Sequence, residues 1–106
     1  MSPEEEKILL QAFTSAIGTD ADRRRAFRTL YDRHAGLVRT IVFRFCGGSE
    51  SNDLVQEVFI KAWFALPVFR HDSSFATWIY RIAANIARDH LRSRRRKSWL
   101  SFFDQQ

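Results

Sequence analysis

An all-α fold, a compact bundle of about four helices, is what this sequence predicts, and three observations predict it. Apolar residues recur at three- and four-residue spacing through four separate stretches, and no stretch alternates with the two-residue period of a strand. Only four Gly and two Pro punctuate the 106 residues, too few for the turns of an all-β domain. Ten Phe, three Trp and two Tyr supply large apolar side chains. A chain this short needs them, because it buries only about 60–65% of its unfolded surface.

The first helix opens at Ser2-Pro3-Glu4, where Ser2 and Glu5 are spaced as a capping box. It is expected to run to about Ile17 and stop at Gly18. Asp20 is expected to cap a second helix from about Ala21 to Phe45, closed by Gly47 and Gly48. Its apolar positions are Phe27, Leu30, Tyr31, Leu37, Val38, Ile41, Val42 and Phe45. Gly36 inside it costs about 1 kcal/mol relative to Ala and is expected to mark close helix packing. Ser51 or Asn52 opens a third helix ending at Leu66, because Pro67 breaks its continuation. Ser73 or Ser74 caps the fourth, expected to reach about Lys97. This is the length of one domain.

Charge is distributed unevenly. The net charge is +5, yet residues 81–97 alone hold Arg81, Arg88, Arg92, Arg94, Arg95, Arg96 and Lys97 against one acid, Asp89. Such a concentration suits a phosphate backbone or an acidic surface better than a small-molecule substrate. No apolar run approaches the roughly 18–20 residues of a membrane span, so no membrane insertion is expected. The acidic start Glu4-Glu5-Glu6 is the opposite of a signal peptide. The single cysteine, Cys46, excludes an internal disulfide framework, and a cytoplasmic location is expected.

Two helices divide into two faces at 100° per residue. On the third, Val55, Val58, Phe59, Ala62 and Leu66 form a core stripe, while Asp53, Gln56, Glu57, Ile60 and Phe64 form another. Carboxylates beside apolar anchors suit protein docking, although a solvated face with two incidental apolar residues fits the same pattern. On the fourth, Phe75, Trp78, Ile79, Ile82 and Ile86 face the core, and Thr77, Arg81, Asn85, Arg88 and Arg92 share a sector of about 80°. Arg holds phosphates or bases, and Asn and Thr can read a base edge. The loop Pro67–Phe75 between these helices combines Phe69, Arg70, His71, Asp72, Ser73, Ser74 and Phe75. That mixture suits an unstacked base, although Phe69 and Phe75 would more ordinarily be plugs of the core.

The run Asp53-Leu-Val-Gln-Glu-Val-Phe-Ile-Lys-Ala-Trp63, followed by Phe69-Arg-His-Asp-Ser-Ser-Phe-Ala-Thr-Trp-Ile-Tyr-Arg-Ile-Ala-Ala-Asn-Ile-Ala-Arg-Asp-His-Leu-Arg92, resembles domain 2 of bacterial sigma factors, most closely the extracytoplasmic-function class. The resemblance spans about residues 26–97. It implies a helical domain that binds the clamp coiled coil of the largest catalytic subunit (β′) of RNA polymerase and recognises the minus-ten promoter element. By resemblance, Asp53, Gln56 and Glu57 stand in the polymerase-docking segment, with Ile60 and Phe64 on the same stripe. The Phe69–Phe75 loop is similar to the specificity loop that captures an extruded non-template base. Asn85 and Arg88 lie on the reading face of the minus-ten helix, and the Ala26–Phe45 helix is similar to the segment packed behind the docking helix. An anti-sigma factor is a further partner that the resemblance implies.

The family's second domain, which reads the minus-thirty-five element, has no counterpart here. Residues 1–97 are expected to form domain 2, and residues 98–106 to begin the interdomain linker of a chain cut within it. Trp99, Leu100, Phe102 and Phe103 would then serve a polymerase channel or a regulator's groove, or pack back on the bundle. No catalytic constellation is evident. His34 falls on the apolar face of the second helix, His71 and His90 lack a partner at metal spacing, and Cys46 reads as a small apolar filler. Asp53, Glu57 and Asp72 do not make an acid–base pair. No enzyme, cofactor or metal is expected. A basic interaction domain that binds nucleic acid or acidic protein without sequence selectivity is the alternative.

Overall fold

The computed structural model describes residues 2–14, 18–48 and 50–104, apart from the side chains of Ala12, Thr14 and Phe103. Among them are four α-helices: α1 (Pro3–Thr14), α2 (Asp20–Cys46), α3 (Ser51–Ala65) and α4 (Phe75–Asp104), with a 3-10 turn at Leu66–Val68 after α3. The expected extension of α1 to Ile17 lies outside the described residues.

Local chemistry explains each boundary. Ser2 caps α1, its hydroxyl accepting from the Glu5 N–H at 3.2 Å. Thr19, not Asp20, caps α2: its hydroxyl accepts from the Asp22 N–H at 3.1 Å while the Asp22 carboxylate accepts from the Thr19 N–H at 3.3 Å. The side-chain and backbone bonds with Thr19 hold the Asp22 carboxyl below the usual range. Its contribution is therefore present above the ordinary value of 3.8 and drains as falling pH protonates it. Thr19→Ala is expected to destabilise the fold by about 1 kcal/mol in urea denaturation, with an unchanged m-value. Gly47 ends α2 at φ 77°, a left-handed value that favours glycine, and its N–H donates to the Phe43 carbonyl at 2.9 Å. Pro67 sits in the 3-10 turn, and Ser74 begins α4 by accepting from the Thr77 N–H at 3.2 Å.

Helix α2 is the spine. It packs against α1, α3 and α4, and α3 also packs against α4, while α1 touches the 3-10 turn. The core joins Leu30, Val38 and Val42 of α2 with Val58 and Ala62 of α3 and Phe75, Ile79 and Ala83 of α4. Leu10 and Phe13 attach α1. Phe27 sits edge-on to Phe13, Phe59 and Trp63, with ring centroids 5.2–6.4 Å apart.

Three expectations need correction. Leu37 and Phe45 are exposed, because the α2 stripe that meets its neighbours runs through Leu30, His34, Val38, Ile41 and Val42. Gly36 marks no close packing: a Cβ placed there would have no neighbour within 4 Å. Helix α4 does not end at Lys97. No Gly or Pro interrupts Ser98–Asp104, and the helix continues through Asp104. Buried positions on α4 stop at Ala87, and every described side chain from Arg92 onward is exposed. Trp99, Leu100 and Phe102 therefore do not pack back on the bundle. Projection of this helix end explains a radius of gyration of 16.7 Å, against about 13 Å for a compact chain of this length.

Candidate nucleic-acid interface and docking face

On α4 the inner stripe buries Phe75, Ile79, Ala83, Ile86 and Ala87 and half-buries Trp78 and Ile82. The residues on the outer sector, Thr77, Arg81, Asn85, Arg88 and Arg92, are all exposed. At 1.5 Å per residue this row extends about 22 Å. Arg81 and Arg88 make no ion pair among the described residues; Arg92 meets Asp89 at 3.3 Å in an exposed pair of little energetic weight. Arg94 turns back, donating to the Cys46 carbonyl at 3.4 Å.

The row begins beside a cleft of about 480 Å³. Its rim is His71, Asp72, Ser73 and Ser74, and its far wall is Glu6 and Lys7 of α1 with Arg33 and His34 of α2. The Ser74 hydroxyl donates to the Thr77 hydroxyl at 3.1 Å, which joins the rim to the first residue of the row. Arg70 is exposed and is not among the residues that line the cleft. His71 adopts φ 59°, a left-handed conformation that costs roughly 1–2 kcal/mol for a residue with a side chain, and its ring packs 4.6 Å from Phe69. Phe69 and Phe75 need correction as open stacking platforms. They retain 7% and 2% of their exposure because their rings pack on Trp78, at 5.0 and 5.7 Å. They form the floor of the cleft, and polar rim groups are left to meet a ligand.

Sequence reasoning missed the far wall. Glu6 is buried, with Arg33 Nη1 2.6 Å from its Oε2 and His34 Nε2 3.1 Å from its Oε1. The available signal was Glu6 sharing the spacing of Leu9, Leu10 and Phe13 on the inward face of α1. His34, expected as a packing residue, is buried and makes this polar contact as well.

On α3 the two stripes separate as the wheel predicts. Val55, Val58, Phe59 and Ala62 are buried with Leu66, whereas Asp53, Gln56, Glu57, Ile60 and Phe64 are exposed. Ile60 and Phe64 keep 60% and 76% of their surface. With Gln56 they line an apolar groove of about 530 Å³ whose other wall is Arg24, Phe27 and Tyr31 of α2.

The remaining reactive groups have local explanations. Burial pushes the Cys46 thiol up, which works against a nucleophilic thiolate, and its Sγ lies 3.7 Å from the Ala87 carbonyl. His90 pairs with Glu50. Among the described residues no cluster of His, Cys, Asp and Glu could hold a metal ion, and no helix is long and apolar enough to cross a membrane.

These features define a class: an all-α module with an acidic and apolar face on α3, and a basic row on α4 that starts at a polar cleft. Residues 30–97 match the sigma-70 region 2 family. Two curated relatives agree. The ECF RNA polymerase sigma-E factor of Escherichia coli (strain K12) is 46% identical over 67 residues, 63% of this chain and 35% of that protein. The RNA polymerase sigma-H factor of Pseudomonas aeruginosa is 44% identical over 75 residues, 70% of this chain and 39% of that protein. The chain thus spans little more than a third of the length of these relatives. An engineered region 2 of sigmaE, solved by NMR in complex with GTAAAA, superposes with a TM-score of 0.74 at 33% identity, covering 92% of this chain and 97% of that one. This chain belongs to the sigma-70 region 2 family.

Proposed function

We propose that this chain is the promoter minus-ten recognition and melting module of an extracytoplasmic-function sigma factor, acting in the cytoplasm when docked on RNA polymerase core. The observation that carries this reading is the junction, at Ser74 and Thr77, of a polar cleft with an exposed row of Arg and Asn. Arg81, Arg88 and Arg92 hold the backbone of the non-template strand, and phosphate contacts of this kind carry no sequence information. Asn85 reads a base edge, and the rim groups His71, Asp72, Ser73 and Ser74 discriminate an extruded base by its hydrogen-bond pattern. The solved complex of an engineered sigmaE region 2 with GTAAAA supports a DNA-reading role for the domain as a whole.

Asp53, Gln56, Glu57, Ile60 and Phe64 dock on the β′ clamp coiled coil, carboxylates meeting basic partner groups while Ile60 and Phe64 fill apolar sites. Docking fixes α4 above the melted strand. Binding alone drives melting in this scheme, without bond chemistry or a cofactor. An anti-sigma factor is the partner that would compete for these faces.

The test measures single-stranded minus-ten oligonucleotides against the chain with and without polymerase core. Weak binding alone and base-selective binding in the holoenzyme are expected; equal binding of all sequences in both states would establish the non-selective alternative. Arg88→Ala with Arg92→Ala is expected to lower affinity for every oligonucleotide. The slope of log affinity against log salt should fall by roughly 0.7 per lost phosphate contact.

A further inference from the structure

Helix α1 precedes the residues that match the family, yet it supplies one wall of the cleft. Its inward face presents Glu6, Leu9, Leu10 and Phe13 at helical spacing. Leu10 and Phe13 enter the core. Glu6, a turn earlier, instead places a carboxylate beneath the specificity loop. That carboxylate is clamped from α2 by two consecutive side chains: Arg33 Nη1 lies 2.6 Å from Oε2, and His34 Nε2 lies 3.1 and 3.2 Å from the two oxygens.

The clamp is connected to the rim by side-chain contacts. The His34 ring packs 4.8 Å from Phe75, Phe75 lies 5.7 Å from Trp78, Trp78 lies 5.0 Å from Phe69, and Phe69 lies 4.6 Å from His71. Helix α1 also touches the 3-10 turn that leads into the loop. A buried carboxylate whose bonds fix one imidazole orientation therefore sets the tilt of Phe75, and through it the position of the loop. Close packing passes such a shift on instead of absorbing it.

From this geometry we infer that Glu6 is a positioning residue for base selection: α1, held by the Glu6–Arg33–His34 clamp, sets the shape of the cleft and hence which minus-ten base the loop prefers. The inference rests on the minus-ten reading above and deepens it. Uncharged substitution at Glu6 loosens the floor of the cleft without touching the Arg row that grips phosphates.

The experiment measures affinity of the chain, bound to polymerase core, for single-stranded minus-ten oligonucleotides carrying each of the four bases at each position. Wild type is compared with Glu6→Gln, Arg33→Met and the control Leu9→Ala. Arg33→Met attacks the same clamp from α2 and decides the matter if Glu6→Gln fails to fold. Leu9 packs α1 on the core but does not line the cleft, so Leu9→Ala reports what looser α1 packing alone does. At the position where wild type discriminates most, Glu6→Gln and Arg33→Met are expected to reduce the preference at least fivefold with the salt slope unchanged. Leu9→Ala should lower the melting temperature and keep the preference. Full preference in both clamp variants, whatever their melting temperatures, overturns the inference alone. An equal loss of preference in Leu9→Ala also overturns it, since packing would then suffice. A wild type with no preference at any position overturns the minus-ten reading and this inference together.

Discussion

Phe75→Ala is expected to destabilise the domain by about 3–5 kcal/mol, the range for emptying a buried aromatic site. Small domains have only about 5–15 kcal/mol in total, so this one truncation removes a large part of the margin. The effect is large because Phe75 is buried at the point where three elements meet: its ring contacts His34 of α2 and Trp78 of its own helix, and it floors the cleft beside the 69–74 loop. Closing the cavity would shift the neighbours that pack on it, His34 of the Glu6 clamp and Trp78 beneath the loop. Phe75→Leu, which keeps most of the volume, should cost less than the Ala variant. Urea denaturation followed by circular dichroism measures both. An Ala variant as stable as wild type would show that the site collapses freely and that the floor of the cleft is not rigid.

Charge reversal at Asp53 and Glu57 is expected to weaken binding to polymerase core by about two orders of magnitude or more. Truncating one partner of a close interfacial charge pair typically costs 2–5 kcal/mol, and each tenfold loss in affinity is about 1.4 kcal/mol. Both side chains are exposed on α3, so the fold has no steric stake in them. Asp53 does lie in the first turn of α3, where a carboxylate favours the helix N-terminus. A loss of about 0.3–1 kcal/mol in stability is the side effect to subtract. Titration onto the clamp coiled coil, with circular dichroism as the control for folding, reads the result. Unchanged affinity would leave only the groove beside Ile60 and Phe64 as a candidate contact.

The readable and unreadable parts of the sequence differ in range. The split of α3 into Val55, Val58, Phe59 and Ala62 against Asp53, Gln56, Glu57, Ile60 and Phe64 depends only on helix rotation, and so does the Thr77–Arg92 row. Both were legible without coordinates. The Glu6–His34 contact joins positions 28 apart in the chain; helical spacing turns each of them inward, but only the packing of α1 on α2 brings the two together. Without that contact, the loop between α3 and α4 reads as a rim with no far wall. The start of α2 was illegible for a different reason. Thr19 and Asp20 are both good capping residues, and the choice went to Thr19 because Asp22 stands at the spacing that completes the reciprocal pair. Phe69 and Phe75 were legible as core plugs, but the side chain that closes them was not, since a ring's residual exposure depends on neighbours such as Trp78.

The overhanging end of α4 has a thermodynamic consequence. Up to Ala87 its backbone hydrogen bonds open only if the core opens, so they share the stability of the whole domain. From Arg92 to Asp104 the helix spans 13 residues, and none of its described side chains is buried to couple it to that transition. Isolated helices of about this length are marginal in water, and Arg92, Arg94, Arg95, Arg96 and Lys97 repel one another within less than two turns. A polyanion laid along this segment would relieve the repulsion and so stabilise the helix already present there. Ionic strength acts on the same balance in the opposite direction to its effect on affinity: added salt screens the repulsion and favours the free helix while it weakens the grip on phosphate.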